Sequence, residues 1–118
     1  MDPVREYYDS WKDGIESYDE GRVRAILAPD LVFLGPGGPE RIGAEPFLKG
    51  LRDFIVLRRS VRMLQELHVG DAAAAIYECD MGADLVPMRF AEFFKIAGGK
   101  IAELRLIFDA TQYRALTL

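Results

Sequence analysis

The residue best suited to chemistry is Glu92, in the run Phe90-Ala91-Glu92-Phe93-Phe94. A carboxyl among aromatic side chains is desolvated, which disfavours its charged form, raises its pKa and suits it to give and take protons. Two plainer readings stand beside this one: Glu92 pairs with an arginine across a sheet, or it faces solvent if the strand slips by one residue. The other candidates carry less. A histidine side chain suits acid–base work near neutral pH, but Arg62 and Glu66 share the spacing of His68 and mark the polar side of a strand. Cys79 has no base or cation close by in sequence to activate it, so it reads as a small buried residue. Arg58, Arg59 and Arg62 read as a solvated basic face rather than an anion site. Gln65 interrupts an apolar strand face, either as a polar contact or as an edge residue. Gly35-Pro36-Gly37-Gly38-Pro39 lacks the strand–loop–helix setting and glycine spacing of a phosphate cradle and reads as a turn.

These residues must be positioned by a chain of 118 residues, a length suited to one domain over 1–118. One cysteine excludes an intramolecular disulfide framework, and with a single histidine it excludes the usual zinc sets. The net charge of -4 argues against nucleic acid as a partner. No apolar run is long enough for a membrane span, and MDPVREYY does not resemble a secretion signal, so a cytoplasmic protein is expected.

Asp2 and Pro3 open a helix in which Val4, Tyr7, Tyr8, Trp11, Ile15 and Tyr18 recur at helical spacing. Asp19 caps a second helix, Glu20 to Leu27, ended by Pro29 and Asp30. Leu31 to Leu34 reads as a strand, and Gly43-Ala44-Glu45-Pro46 opens a third helix with Phe47, Leu48, Leu51, Phe54 and Ile55 on its apolar side. From Ser60 the pattern becomes extended. Ser60 to Val69 alternates, with Val61, Met63, Leu67 and Val69 on one face and Arg62, Glu66 and His68 on the other. Ala73 to Met81, Pro87 to Ile96 and Lys100 to Phe108 follow as strands, and Asp109 caps a short tail, Ala110 to Leu116. Helices first and a meander of long strands after them predict an α+β fold, a curved antiparallel sheet with the helices packed on its concave face.

This order resembles the nuclear transport factor 2-like superfamily, which includes SnoaL-like polyketide cyclases, ketosteroid isomerase and limonene-epoxide hydrolase. The resemblance is carried by Ala25-Ile26-Leu27-Ala28-Pro29-Asp30-Leu31-Val32-Phe33, by Ile42-Gly43-Ala44-Glu45-Pro46-Phe47, and most strongly by Phe93 to Ile101 with Ile107-Phe108-Asp109. It implies a cone around an apolar pocket closed by the first and third helices. With alternation it places Tyr77, Cys79 and Met81 inward on one strand. Met88, Phe90, Glu92, Phe94 and Ile96 face inward on the next, and Leu104, Leu106 and Phe108 on the last. Tyr8 and Trp11 look in from the first helix, and Phe33 and Phe47 complete the wall. The other sheet face would carry Ala74, Ile76, Ala91, Phe93, Ala102 and Ile107, an apolar surface that predicts a homodimer.

The resemblance also allows each known chemistry to be tested. Ketosteroid isomerase implies a carboxylate base where this chain has Gly35, a tyrosine where it has Trp11, and an acid where it has Glu92. Without the base that activity is not expected. The arginine, first aspartate, second aspartate, tyrosine and asparagine that limonene-epoxide hydrolase implies fall on Cys79, Met81, Leu106, Phe33 and Gly35, and none is kept. By register Asp109 points away from the pocket and reads as a helix cap. What stays open is a cyclase or isomerase that needs no cofactor and no metal and uses Glu92 as acid or base on a hydrophobic small molecule. Two rivals remain, a ligand-binding module without turnover and a dimerisation module. A second inward polar group beside Glu92 favours the enzyme.

Overall fold

The computed structural model describes residues 2–38, 40–82, 85–109 and 111. Three helices, α1 (Pro3–Trp11), α2 (Glu20–Ile26) and α3 (Ala44–Leu57), cover one face of a curved, unclosed six-stranded sheet. The strands are β1 (Leu27–Leu34), β2 (Arg41–Ile42), β3 (Ser60–Val69), β4 (Ala72–Asp80), β5 (Met88–Ala97) and β6 (Lys100–Ile107), in the spatial order β2-β1-β6-β5-β4-β3. All neighbours are antiparallel except β1 and β6, which run parallel. This is the α+β architecture that the order of helical and extended patterning predicts. No helix among the described residues is long and apolar enough to cross a membrane.

The caps form as the residue types dictate. The Asp2 carboxylate accepts from the Val4 amide at 3.0 Å, and that of Asp19 from the Arg22 amide at 3.2 Å. Ion pairs then fix the helices to each other and to the sheet: Arg22 to Glu6 at 2.6 Å, Arg24 to Glu45 at 2.8 Å and Arg5 to Glu66 at 2.8 Å. They are exposed enough to set orientation more than to add stability.

Several boundaries differ from the sequence reading. The first helix stops at Trp11; Gly14 lies at φ +112, outside helical space, and leaves Ile15 on the surface. α2 passes directly into β1, so Pro29 and Asp30 lie inside the strand. Pro29 has no amide hydrogen for a ladder, and it sits in the irregular stretch where the β1–β6 register shifts between Leu27 and Val32. The two-residue β2, which pairs Ile42 with Val32 and Arg41 with Phe33, is too short to leave a period-2 signal. The tail expected over Ala110 to Leu116 lies outside the described residues, Thr111 apart; the Asp109 carboxylate accepts from the Thr111 amide at 3.0 Å.

Two bulges overturn face assignments. On β3, Met63 pairs with Tyr77 but Gln65 with Ile76, so Leu64 is an extra residue and the alternation inverts beyond it. Leu67 and Val69 are therefore 55% and 79% exposed, while Glu66 and His68 turn to the α1 side, where Glu66 meets Arg5 and His68 meets Asp2. Gln65 is exposed. On β6, Lys95 pairs with Glu103 and Ile96 with Ile101, which leaves Ala102 extra and carries Ile101 into the core instead of placing Ala102 cleanly on the outer face.

Candidate functional site

Glu92 is 2% exposed, on the helix-covered side of β5, flanked in register by Ala75 on β4 and Leu106 on β6. Two positions away on either side, Phe90 and Phe94 share its face. A carboxyl at this depth must find partners, and the first helix supplies one. The Tyr8 hydroxyl donates to Glu92 Oε1 at 2.7 Å, both groups buried. The hydroxyls of Tyr7 and Tyr77 also act on the carboxyl. Burial drives the Glu92 pKa upward, the three tyrosines pull it back, and it rests at about 7. The same burial, with the Glu92 charge next in weight, raises the pKa values of all three tyrosines and keeps their hydroxyls protonated. Among the described residues no cation pairs with Glu92.

The carboxyl opens onto a cavity of about 400 Å³ between the sheet and the helices, within the range of small-molecule sites. Its buried floor is Tyr7, Trp11, Tyr77, Phe90 and Glu92, with Tyr77 and Phe90 stacked at 5.2 Å. Phe33, Phe47, Phe54, Leu106 and Phe108 form the walls. Gly35, Pro36, Gly38 and Arg41 stand at the rim. Of the residues that sequence alternation turns inward, Trp11, Phe33, Phe47, Tyr77, Phe90, Leu106 and Phe108 stand with Glu92 on this surface. Tyr8, Cys79, Met81, Met88, Phe94 and Leu104 are buried but lie in the packed core and not on the cavity wall. Tyr7 and Tyr8 close over Phe94, with ring centroids at 5.8 and 6.0 Å, so that end of the helix-covered face is filled by side chains. Beyond the other end, burial pushes the Cys79 thiol up to about 12, where it is no nucleophile.

Two residues take roles that linear reading does not reach. Tyr7 reads as one more apolar contact of an amphipathic helix, yet it lines the floor beside the acid. Arg58 is not part of a solvated basic face: it is 5% exposed, its Nη2 donates to the Trp11 carbonyl, and its guanidinium lies 5.5 Å from the Trp11 ring centroid. It thereby holds the end of α1 against the sheet. His68, with Nδ1 3.2 Å from Asp2, stands at the surface away from the cavity. Among the described residues no group of histidine, cysteine and carboxylate side chains could hold a metal ion.

A curved α+β sheet, with helices over an apolar cavity that holds one buried acid, is the class of fold seen in solved proteins described as NTF2-like and cystatin-like. Within that class, the model of the SnoaL-like domain matches residues 4–104, and the chain belongs to this family. Solved structures agree on the fold. A protein from Kribbella flavida DSM 17836 superposes with a TM-score of 0.80 at 21% identity, over 99% of this chain and 92% of that one. A candidate SnoaL-like polyketide cyclase from Jannaschia sp. CCS1 gives 0.77 at 13% identity, over 98% and 90%. A candidate ketosteroid isomerase from Kribbella flavida gives 0.76 at 16% identity, over 91% and 75%. At these identities the likeness is one of fold. No curated protein sequence matches the chain.

Proposed function

We propose that the protein is a cofactor-independent isomerase or cyclase that moves a proton on a hydrophobic carbonyl compound, with Glu92 as acid and base. The observation that carries this reading is the Glu92 carboxyl at the cavity floor with its pKa at about 7. Near neutral pH both of its forms are populated, the condition for efficient proton transfer in either direction. The carboxylate takes a proton from the carbon beside a carbonyl; the C–H pair moves into the new C=C bond and the carbonyl electrons move onto oxygen. As Glu92 takes up the proton and loses its charge, the Tyr7 and Tyr77 hydroxyls on the same floor are released from it, still protonated, as donors for that oxyanion. Tyr8, committed to Glu92 Oε1, positions the carboxyl and does not reach the ligand. Return of the proton to another carbon gives an isomerase. Attack of the enolate carbon on a second carbonyl, with Glu92 protonating the new alkoxide, gives a cyclase. The candidate cyclase and candidate isomerase among the structural neighbours support this class of reaction.

The test is hydrogen exchange into 2-tetralone in D₂O, followed by mass spectrometry. The wild-type protein accelerates exchange at the carbons beside the carbonyl, and Glu92→Gln does not. Binding of the ketone without exchange would make the protein a ligand-binding module instead, a reading that the largely aromatic wall favours.

The outer sheet face supports a second expectation, a homodimer. Leu67, Val69, Phe93 and Ile107 are each about half exposed or more there, beside Ala74, Ile76 and Ala91. Contiguous apolar surface of this kind marks an interface more often than a monomer's surface.

A further inference from the structure

The cavity is polar at two places of opposite character. Its floor carries Glu92, an acid with no cation beside it. Its rim carries Arg41, the one lysine or arginine among the described lining residues. Arg41 stands in direct register with Phe33 across the β1–β2 pair, so the two side chains leave the same face of that ribbon, and Phe33 is a wall residue. Five other surface arginines are matched to carboxylates: Arg5 to Glu66, Arg22 to Glu6, Arg24 to Glu20 and Glu45, Arg62 and Arg89 to Glu78. Arg52, Arg59 and Arg105 are exposed without an ion pair among the described residues, but none of them lines this cavity. Arg41 has no ion pair with any described residue, and the neighbouring acid Glu40 is exposed and does not line the cavity. The rim beside it is also open, since a Cβ built on Gly38 would meet nothing within 4 Å.

We infer that Arg41 makes the rim an anion-recognising end of the cavity, so that the ligand is an apolar acid held with its carboxylate outward. This rests on the proposed function and names the substrate class within it. The orientation follows from charge. An anion carried to the floor would be desolvated beside the Glu92 carboxylate, whereas at the rim it stays partly hydrated and meets a guanidinium whose planar fork matches a carboxylate. The reacting carbonyl then lies inward, beside Glu92, Tyr7 and Tyr77.

The probe pair is biphenyl-4-carboxylate and its methyl ester, read at pH 7 by the fluorescence of Trp11, the sole tryptophan and a floor residue. The acid binds more tightly than the ester by about three- to tenfold, the range for a partly exposed charge-assisted pair. Arg41→Gln brings the acid down to the ester and leaves the ester unchanged, Arg41→Lys restores part of the preference, and added sodium chloride shrinks it. Equal binding of acid and ester by the wild type, or a preference that survives Arg41→Gln, overturns the inference while the cavity reading stands. Failure of both probes to bind overturns the cavity reading and the inference with it.

Discussion

Replacing Glu92 with glutamine tests the central chemical claim through stability rather than turnover. In the unfolded chain the carboxyl titrates near its ordinary value of 4.5, and in the fold near 7. Between those values the folded state holds the proton more tightly. Stability is therefore greatest below about pH 4.5, as far as this group is concerned, and declines as pH rises until the folded carboxyl has ionised. The gap corresponds to about 3 kcal/mol at about 1.36 kcal/mol per pH unit, a sizeable part of the total stability of a small domain. Glutamine keeps the shape, accepts from Tyr8 through its amide oxygen and never buries a charge. Urea unfolding of both proteins from pH 4.5 to 8.5 should show the wild type losing on the order of 3 kcal/mol relative to Glu92→Gln across that window. The variant should be the more stable of the two at pH 8, and ¹³C NMR of the glutamate carboxyls should give a midpoint near 7. Parallel stability curves, or a Glu92 midpoint below 5, would refute the argument that desolvation outweighs the three tyrosines.

Tyr8→Phe removes the hydrogen bond that favours the carboxylate, so the Glu92 midpoint should rise further and stability at pH 8 should fall by about 1–3 kcal/mol; an unchanged midpoint in the same titration would show that Tyr8 does not act on the charge. Light scattering at micromolar concentration should give a dimer mass for the wild type and a monomer mass for Phe93→Glu, and a wild-type monomer would remove the proposed interface. Gly43→Ala forces a side chain into backbone at φ +118, with its Cβ 3.2 Å from the Pro46 ring, and should cost about 1–3 kcal/mol in urea unfolding; a neutral substitution would mean that the entry to α3 relaxes freely.

What the chain dictates locally can be read from its residues. Asp2 and Asp19 cap because their side chains reach amides a few residues away, whatever the rest of the fold does. The strict alternation of β4 and β5 places Tyr77, Phe90 and Glu92 on one face, and no bulge falls inside their pairing. Family resemblance then supplies which face is covered. Other features depend on partners distant in sequence. The extra residues Leu64 and Ala102 exist only relative to β4 and β5, so nothing in the local period of β3 or β6 announces that Leu67 turns outward or Ile101 inward. Arg58 looks like one of three surface arginines until the end of α1 arrives over it with the Trp11 carbonyl and ring. The site divides in the same way. The sequence makes Glu92 a desolvated acid through its own neighbours, whereas the tyrosines that tune it come from α1 and β4, and the arginine at the rim from a two-residue strand. A carboxyl's burial is set largely by the strand that carries it, but its partners are set by tertiary packing that brings residues 84 positions apart to hydrogen-bonding distance.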